Sequence, residues 1–261
     1  MTEHPAAAPS AADLPAIAAA TLIVMRDRTA GPPEVLMVER ARAMSFAGGA
    51  LVFPGGRVDP GDHLLAQRYG GDPDDIAARI AAIRETVEEA GLAIGLSPQT
   101  GADTIRALGS SVYGGTAIGE ALAEAGLTLD PSVLTPFARW LPRNVAHKVF
   151  DTRFYLAEMP AEAPKPRVDG NENVRLFWAS AQSILDDADA GACEIIFPTR
   201  RNLERLARFA SYAEALEDAH AFPAETVSPW IEERAGEQYL CIPDHLGYPV
   251  TAQRLDAVRR A

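Results

Sequence analysis

Short apolar segments, several of them alternating with polar residues, recur through the first two thirds of the chain. Segments of this kind, rich in β-branched and aromatic residues and bounded by turn residues, predict β-strands. The first two are separated by residues 26–33, which contain Gly31-Pro32-Pro33 and therefore predict a hairpin. The predicted strands are 17–25, 34–40, 50–53, 137–142 with its closing turn, 149–157, 174–178 and 237–243.

A helical period replaces the alternation in the segment that ends at Ala90. We expect a helix there that is capped by Asp74 or Asp75, since acidic residues favour a helix N-terminus. Gly91 suits the left-handed position that closes a helix. The other predicted helical segments are 63–69 after a turn at 59–62, much of 97–136, 179–189 and 198–219.

Hairpins, longer strands and later helices together predict an α+β fold, in which helices lie on either side of a mixed β-sheet. The chain length suits one domain with additions. We expect a disordered tail over residues 1–15 and a single domain over 16–261. Within it, insertions are predicted at about 63–78 and 97–136, and a helical extension at about 180–261.

The predicted helix ending at Ala90 carries three carboxylates on one face. Glu85, Glu88 and Glu89 stand at positions i, i+3 and i+4, so they are neighbours on the helix surface. Clustered carboxylates resist joint ionisation, and a hard cation such as Mg2+ is a natural partner because it takes oxygen ligands. The alternative is an ordinary solvated charged face. The glycine turn Gly55-Gly56, which lets a backbone approach a metal or a phosphate closely, favours the cation.

Composition narrows the range of partners. The formal net charge of −12 argues against a general nucleic-acid surface or a surface for anionic membranes. No run is long enough to span a bilayer, and the N-terminus lacks the pattern of a secretory signal. Cys193 and Cys241 have neither metal-binding nor redox spacing, so we expect small buried hydrophobes. These features predict a cytoplasmic protein that binds neither nucleic acid nor membrane.

The glycine turn and the acidic helix together resemble the Nudix box, G-x5-E-x7-R-E-U-x-E-E-x-G-U, in which U is apolar. The chain departs from the box at Thr86, where the box has an apolar residue, and at Asp62, where it has a glutamate. An insertion also lengthens the segment between Asp62 and the helix. The matching residues are Gly56, Arg84, Glu85, Glu88, Glu89, Gly91 and Leu92.

The resemblance implies a Nudix-type α/β/α sandwich and a hydrolase that cuts a pyrophosphate bond with Mg2+ or Mn2+. By this resemblance the metal ligands are Glu85, Glu88 and Glu89, joined by the main-chain carbonyl of Gly55. Arg84 would orient a glutamate by ion pairing, and Gly56 would lie against the substrate.

The resemblance leaves the general base open between Glu85 and a carboxylate of a later loop, for which Glu172 is the candidate. It also leaves the task of Asp62 open. Asp62 could pair with Arg84 or reach groups behind the metal ligands, or the insertion could have retired the position, with Asp59 as the alternative.

A second resemblance concerns the substrate. Residues 36–41, Gly49 and residues 53–56 follow the spacing of a motif in Nudix coenzyme A diphosphatases, with Ser45 in place of its second arginine. Residues 150–156 and the split box are similar to the peroxisomal, kidney-type branch of these enzymes, although the chain lacks a Ser-Lys-Leu ending. The implied substrate is coenzyme A or acyl-CoA, cut into 3′,5′-ADP and a 4′-phosphopantetheine product, with Arg40 contacting a phosphate.

Two other functions stay open at this point. The same chemistry could act on ADP-ribose, NADH or another nucleoside diphosphate derivative, since the box contacts only the pyrophosphate. Alternatively, the chain could be a Nudix-fold module that binds a nucleotide without cutting it, as the change at Asp62 would allow. The expected partner is a small nucleoside diphosphate, and a homodimer is compatible with each alternative.

Overall fold

The structure is a computed structural model that describes residues 15–42, 47–143, 149–160 and 173–258. Most of the expected N-terminal tail, residues 1–14, lies outside these ranges. So do Ser45 and Glu172, the candidate general base of the later loop.

Strands account for much of the described chain and are numbered in chain order. They are β1 Ile17–Arg26, β2 Glu34–Arg40, β3 Ala50–Val52, β4 Gly55–Arg57, β5 Leu96–Ser97, β6 Thr128–Leu129, β7 Thr135–Trp140, β8 Phe150–Glu158, β9 Asn173–Ser180, β10 Glu194–Ile195, β11 Thr226–Val227, β12 Trp230–Arg234, β13 Glu237–Cys241 and β14 Ala252–Arg254.

The α-helices are numbered in the same way, and a 3-10 turn spans Pro131–Val133. The helices are α1 Pro60–Ala66, α2 Pro73–Ala90, α3 Ala102–Tyr113, α4 Ile118–Glu124, α5 Ala181–Asp189, α6 Phe197–Leu206, α7 Tyr212–Ala221 and α8 Leu255–Val258.

The largest sheet is mixed. Its strands lie in the order β10-β3-β2-β1-β8-β7-β11, with β4 also paired to β1 and β9 to β2. The strand β1 runs antiparallel to β2 and parallel to β8, which confirms the predicted hairpin. Antiparallel pairing of Gly55 with Thr21 and of Gly56 with Ala20 fastens the glycine turn to the sheet.

Helices cover both faces of this sheet, which confirms the predicted sandwich. Because side chains alternate along a strand, successive residues of β1 enter different cores. Leu22 and Val24 pack in one cluster with α1 to α4, and Ile23 and Met25 pack in the other with α5 to α7. The acidic helix α2 therefore lies on one face, with its apolar residues against the sheet.

The starts of two helices differ from the prediction. Helix α2 begins at Pro73, and its cap is Asp72, whose carboxylate accepts the Asp74 N–H at 3.1 Å. Proline suits the first helical position because that position needs no N–H donor, so it moves the start ahead of the predicted caps. For the same reason the expected turn at 59–62 is the first turn of α1, with Pro60 at its start.

The single helix predicted over 198–219 is wrong, because the structure has α6 and α7 there. The Ser211 hydroxyl accepts the Glu214 N–H at 3.2 Å and starts α7 anew. Both helices press apolar residues such as Leu203 and Ala215 into the same core. Their apolar spacing therefore continues across the break and resembles that of one helix.

Two regions contain more β-structure than the pattern predicted. The 97–136 segment includes β6, which pairs antiparallel with β5 beside helices α3 and α4. The predicted late strand is the centre of a three-stranded sheet, β12-β13-β14, so the C-terminal extension is not helical alone.

The structure also bears on the expectations for the two cysteines and for membrane-spanning segments. Cys241 is buried as predicted, whereas Cys193 is half-buried, and both are free thiols. In the described part of the chain, no helix combines the length and the apolar character needed to cross a membrane.

Replacing Ile80 with alanine tests the packing of α2 on the sheet. Ile80 is completely buried, so Ile80→Ala should lower the free energy of unfolding by about 2–5 kcal/mol through lost burial and a residual cavity. Urea denaturation monitored by circular dichroism measures this change. The control is Ile231→Ala, at a position 45% exposed, which should change stability by about 0.5 kcal/mol or less. Equal losses in both variants would contradict the assigned core.

Candidate active site

The site forms where the acidic end of α2 meets the glycine turn of β4. Glu85 lies directly on Gly56, so that a Cβ at residue 56 would overlap the Glu85 carboxylate. At residue 55 a Cβ would approach the Ala20 carbonyl oxygen to 2.5 Å and the Thr21 Cα to 2.7 Å. Both glycines are thus required by close approach, one to the helix carboxylate and one to the backbone of β1.

A buried arginine organises the carboxylates around it. Arg84 Nη1 donates to Glu85 Oε1 and to Glu88 Oε1, both at 2.8 Å. On its other side, Arg84 Nε donates to Asp62 Oδ1 at 3.0 Å. Its Nη2 donates to the Arg57 carbonyl at 2.8 Å, which ties the helix to β4. The predicted role of Arg84, orienting a glutamate by ion pairing, agrees with this geometry.

Of the three tasks considered for Asp62, the structure supports pairing with Arg84. Its carboxylate is completely buried and receives hydrogen bonds from both Nε and Nη2 of Arg84. It also accepts the Asp59 N–H at 2.8 Å, at the start of α1. The residues inserted after Asp62 belong to α1, α2 and the turn between them, and they leave the two partners in contact. Asp59, with a side chain 59% exposed and 3.7 Å from Arg84, is a peripheral neighbour.

Glu89 is held differently from the other two glutamates. Its Oε2 accepts the Gly55 N–H and its Oε1 accepts the side-chain amide of Asn173, each at 2.9 Å. Both of these donors are neutral. They orient the carboxylate of Glu89 without cancelling its charge.

The cluster has an excess of negative charge. The carboxylates of Asp62, Glu85 and Glu88 share one guanidinium, that of Arg84, which leaves two negative charges in excess if all three are ionised. Burial raises the pKa of Glu85 to about 8; Arg84 opposes this rise, and the neighbouring glutamates add to it. Burial likewise raises the pKa of Glu88. Burial works against the charged form of Arg84, but the surrounding carboxylates raise its pKa above the ordinary value.

Thr86, which stands where the Nudix box has an apolar residue, is satisfied within its own helix. Thr86 is completely buried, and its hydroxyl donates to the Ala82 carbonyl at 2.7 Å. A hydroxyl satisfied by the preceding turn of its own helix can occupy an apolar position at little cost. The motif also ends as predicted, since Gly91 is left-handed with φ 64° and Leu92 is buried.

The donor set fits a hard divalent cation in its chemistry. Glu85, Glu88, Glu89 and the Gly55 carbonyl offer only oxygen atoms, which Mg2+ and Mn2+ prefer. In the described ranges no three Asp, Glu, His or Cys side chains converge in an arrangement that would hold an ion as they stand. Glu85 and Glu88 are turned to Arg84 instead. Since these hydrogen bonds use one oxygen of each glutamate, Oε1, a cation would have to reach Oε2 or turn the two carboxylates.

Arg40 lies near this cluster through the sheet. It is the partner of Asn173 in the pairing of β2 with β9, and Asn173 contacts Glu89. Its Nε is buried and has no hydrogen-bond partner within the described part of the chain. Within the described ranges, Arg40 therefore has an unused N–H donor on the strand next to Asn173.

Comparison with known proteins decides the family. No family model matches the chain. The crystal structure of a NUDIX hydrolase from Alicyclobacillus acidocaldarius aligns with a TM-score of 0.69 and 30% sequence identity, over 78% of this chain and 97% of that one. The chain belongs to the Nudix hydrolase family.

Two curated relatives agree with this Nudix assignment. A Caenorhabditis elegans protein named as a nudix hydrolase is 29% identical over 182 residues. Acyl-coenzyme A diphosphatase NUDT19 of Gallus gallus is 25% identical over 248 residues. These alignments cover 67% and 74% of this chain, and only 56% and 65% of the respective relatives.

Sequence reasoning missed two members of the Nudix site, the Arg57 carbonyl and Asn173. The position of Asn173, directly after the candidate Glu172 and just before the strand predicted over 174–178, was the one available signal. Strict alternation along the strand gives no reason for Asn173 to face α2. Glu172 was the candidate instead, because its carboxylate can act as a base.

Removing Asp62 tests whether it anchors the arginine. Asp62→Ala should lower the free energy of unfolding by about 3–5 kcal/mol, because it leaves the buried Arg84 guanidinium with one partner fewer. The matched control is Asp103→Ala, which breaks an exposed pair with Arg106 and should cost about 1 kcal/mol or less. Chemical denaturation of both variants gives the comparison. A loss at Asp62 as small as that at Asp103 would refute the anchoring role.

Proposed function

We propose that this Nudix protein hydrolyses a pyrophosphate bond in coenzyme A or acyl-CoA and depends on a divalent cation. The observation that carries the proposal is the buried carboxylate cluster with excess negative charge, packed directly on the Gly55-Gly56 turn. Such a cluster is costly to bury unless it serves a ligand that compensates its charge.

The cation would be Mg2+ or Mn2+, held by Glu85, Glu88, Glu89 and the Gly55 carbonyl. When bound, it supplies neutralisation of the phosphate charge and favours attack by water. Arg84 keeps Glu85 and Glu88 close to each other before binding. Gly56 has no side chain, which lets the Glu85 carboxylate lie directly on the turn, and we assign the backbone of Gly56 to the substrate.

In the reaction, water forms a bond to one phosphorus while the bridging P–O bond breaks. The products are two phosphate monoesters, 3′,5′-ADP and (acyl-)4′-phosphopantetheine. Glu85 is our candidate to take the proton from water, since its carboxylate lies directly on the Gly56 turn, where the pyrophosphate would bind. Glu172 is the other candidate, and it lies outside the described residues.

The choice of coenzyme A is supported by two observations. One is the likeness to a relative named acyl-coenzyme A diphosphatase, over 74% of this chain. The other is Arg40, whose buried Nε has no partner within the described ranges and lies one strand away from Asn173. We assign Arg40 to a phosphate of the substrate, because a guanidinium with unused donors is suited to an anionic oxygen.

A binding module without activity is less well supported. That alternative rested on the replacement of a glutamate by Asp62, and Asp62 still pairs with Arg84. ADP-ribose and NADH remain substrates to be compared, since the residues at the pyrophosphate do not distinguish them.

Glu89→Gln tests the reaction and its cation. The purified protein should release 3′,5′-ADP from acyl-CoA when Mg2+ or Mn2+ is present and not when the cation is chelated. Glu89→Gln keeps the size of the side chain and removes its charge, so we expect turnover to fall by about 100-fold or more. Mass spectrometry identifies the products and gives the rates.

A substrate panel provides the control for this experiment. The same assay with coenzyme A, acyl-CoA, ADP-ribose and NADH compares kcat/KM between substrates. A higher kcat/KM for ADP-ribose would overturn the assignment to coenzyme A. Nucleotide binding by calorimetry without hydrolysis of any substrate, in a folded sample supplied with metal, would refute the enzymatic function.

Gly56→Ala tests the close approach of the turn to α2. The new Cβ would overlap the Glu85 carboxylate and displace it, so we expect about 100-fold lower kcat/KM. Stability should change little, since the displaced group is the far end of a flexible side chain. The matched control is Gly70→Ala, where a Cβ meets open space and activity should stay unchanged. Full activity in Gly56→Ala would contradict a role for this contact.

A further inference from the structure

Asn173 occupies an unusual place at the edge of the site. It is the first residue of β9, only 1% exposed, and pairs with the last residue of β2, Arg40. A buried carboxamide at a strand end is costly unless its polar atoms find partners. The face of the sheet to which the Asn173 side chain points therefore decides which polar partners it can reach.

The regular part of β9 defines which residues face α2. Leu176 and Trp178 pack against the core cluster that contains the apolar residues of α2. Phe177 and Ala179 pack against the cluster on the opposite face. Strict alternation would therefore turn Asn173 away from α2, together with Phe177.

A β-bulge reverses this direction. Glu39 pairs with Arg175, but the next residue of β2, Arg40, pairs with Asn173, so that Val174 is skipped. Val174 is accordingly 62% exposed. An extra residue on one strand re-aims the side chains beyond it. Because of the bulge, Asn173 points to the face of the sheet on which α2 lies.

There the Asn173 side chain meets Glu89. Its Nδ2 donates to Glu89 Oε1 at 2.9 Å, while the Gly55 N–H holds Oε2 at the same distance. These two donors engage both oxygens of the carboxylate and so set its plane. Glu85 and Glu88 are bonded to the cation Arg84.

We propose that Asn173 is a positioning residue, which presents the Glu89 carboxylate to the divalent cation in a fixed orientation. This inference rests on the proposed function, in which Glu89 is a ligand of that cation. Through its pairing with Arg40, Asn173 also couples the strand on the substrate side to the ligand on α2. The bulge at Val174 is the structural device that makes this contact.

The test measures the affinity of the full chain for Mn2+ alone, by electron paramagnetic resonance of the unbound ion. Asn173→Ala should weaken Mn2+ binding by about 10- to 100-fold, the usual effect of removing a partner of a metal ligand. In the activity assay the apparent KM for Mn2+ should rise, while the substrate KM at saturating Mn2+ stays unchanged. A merely structural role would not produce this separation.

The matched control is Asn202→Ala. Asn202 is also completely buried, in α6, and its Oδ1 accepts the Tyr248 hydroxyl at 3.0 Å. Asn202→Ala should lower thermal stability and leave the Mn2+ affinity unchanged. Asn173→Ser, which keeps a donor at the position, should lose less Mn2+ affinity than Asn173→Ala and serves if the alanine variant fails to fold.

Comparison with Glu89→Gln distinguishes a failure of the positioning role from a failure of the proposed function. If Glu89→Gln loses Mn2+ binding and Asn173→Ala or Asn173→Ser binds as tightly as the wild type, the positioning role is refuted and the proposed function stands. If Glu89→Gln itself keeps full affinity and activity, the proposed function is refuted as well. Adding Asn173→Ala to Glu89→Gln should cause no further loss, and an additive loss would also overturn the inference.

Discussion

The site depends on one buried guanidinium. Arg84 holds Glu85 and Glu88 on its own helix, Asp62 on α1 and the Arg57 carbonyl on β4, so that three elements meet at one charge. Without it, the carboxylates would repel each other and the cost of their burial would not be offset. The same charge holds Glu85 and Glu88, two of the proposed cation ligands, close to each other.

Neutral donors provide the second constraint. Glu89 stands one residue from Glu88 and yet is oriented by an amide N–H and a carboxamide, from Gly55 and Asn173. The cluster therefore contains two glutamates held by a guanidinium and a third whose two oxygens accept an amide N–H and a carboxamide. Partners of this kind set the orientation of a carboxylate.

The mixed sheet brings together the contacts of Arg84 and those of Glu89. Because β4 pairs with the middle of β1, the glycine turn is fixed to a central strand and not to a mobile loop tip. The insertion between Asp62 and Arg84 leaves their contact intact, since Asp62 bonds to Arg84 and Arg84 bonds in turn to the Arg57 carbonyl of β4. The bulge at Val174 brings a further strand into contact with the same helix.

The sequence by itself determined the features that depend on near neighbours. A helix repeats its contacts within one turn, so the spacing of Glu85, Glu88 and Glu89 was sufficient to place them on one face. Alternation and turn residues similarly predicted the main strands and the α+β class. Only the tertiary structure decided that Asp62 crosses an insertion to reach Arg84 and that a skipped residue turns Asn173 toward Glu89. Such contacts depend on strand register and on packing between distant segments, for which a local pattern carries no information.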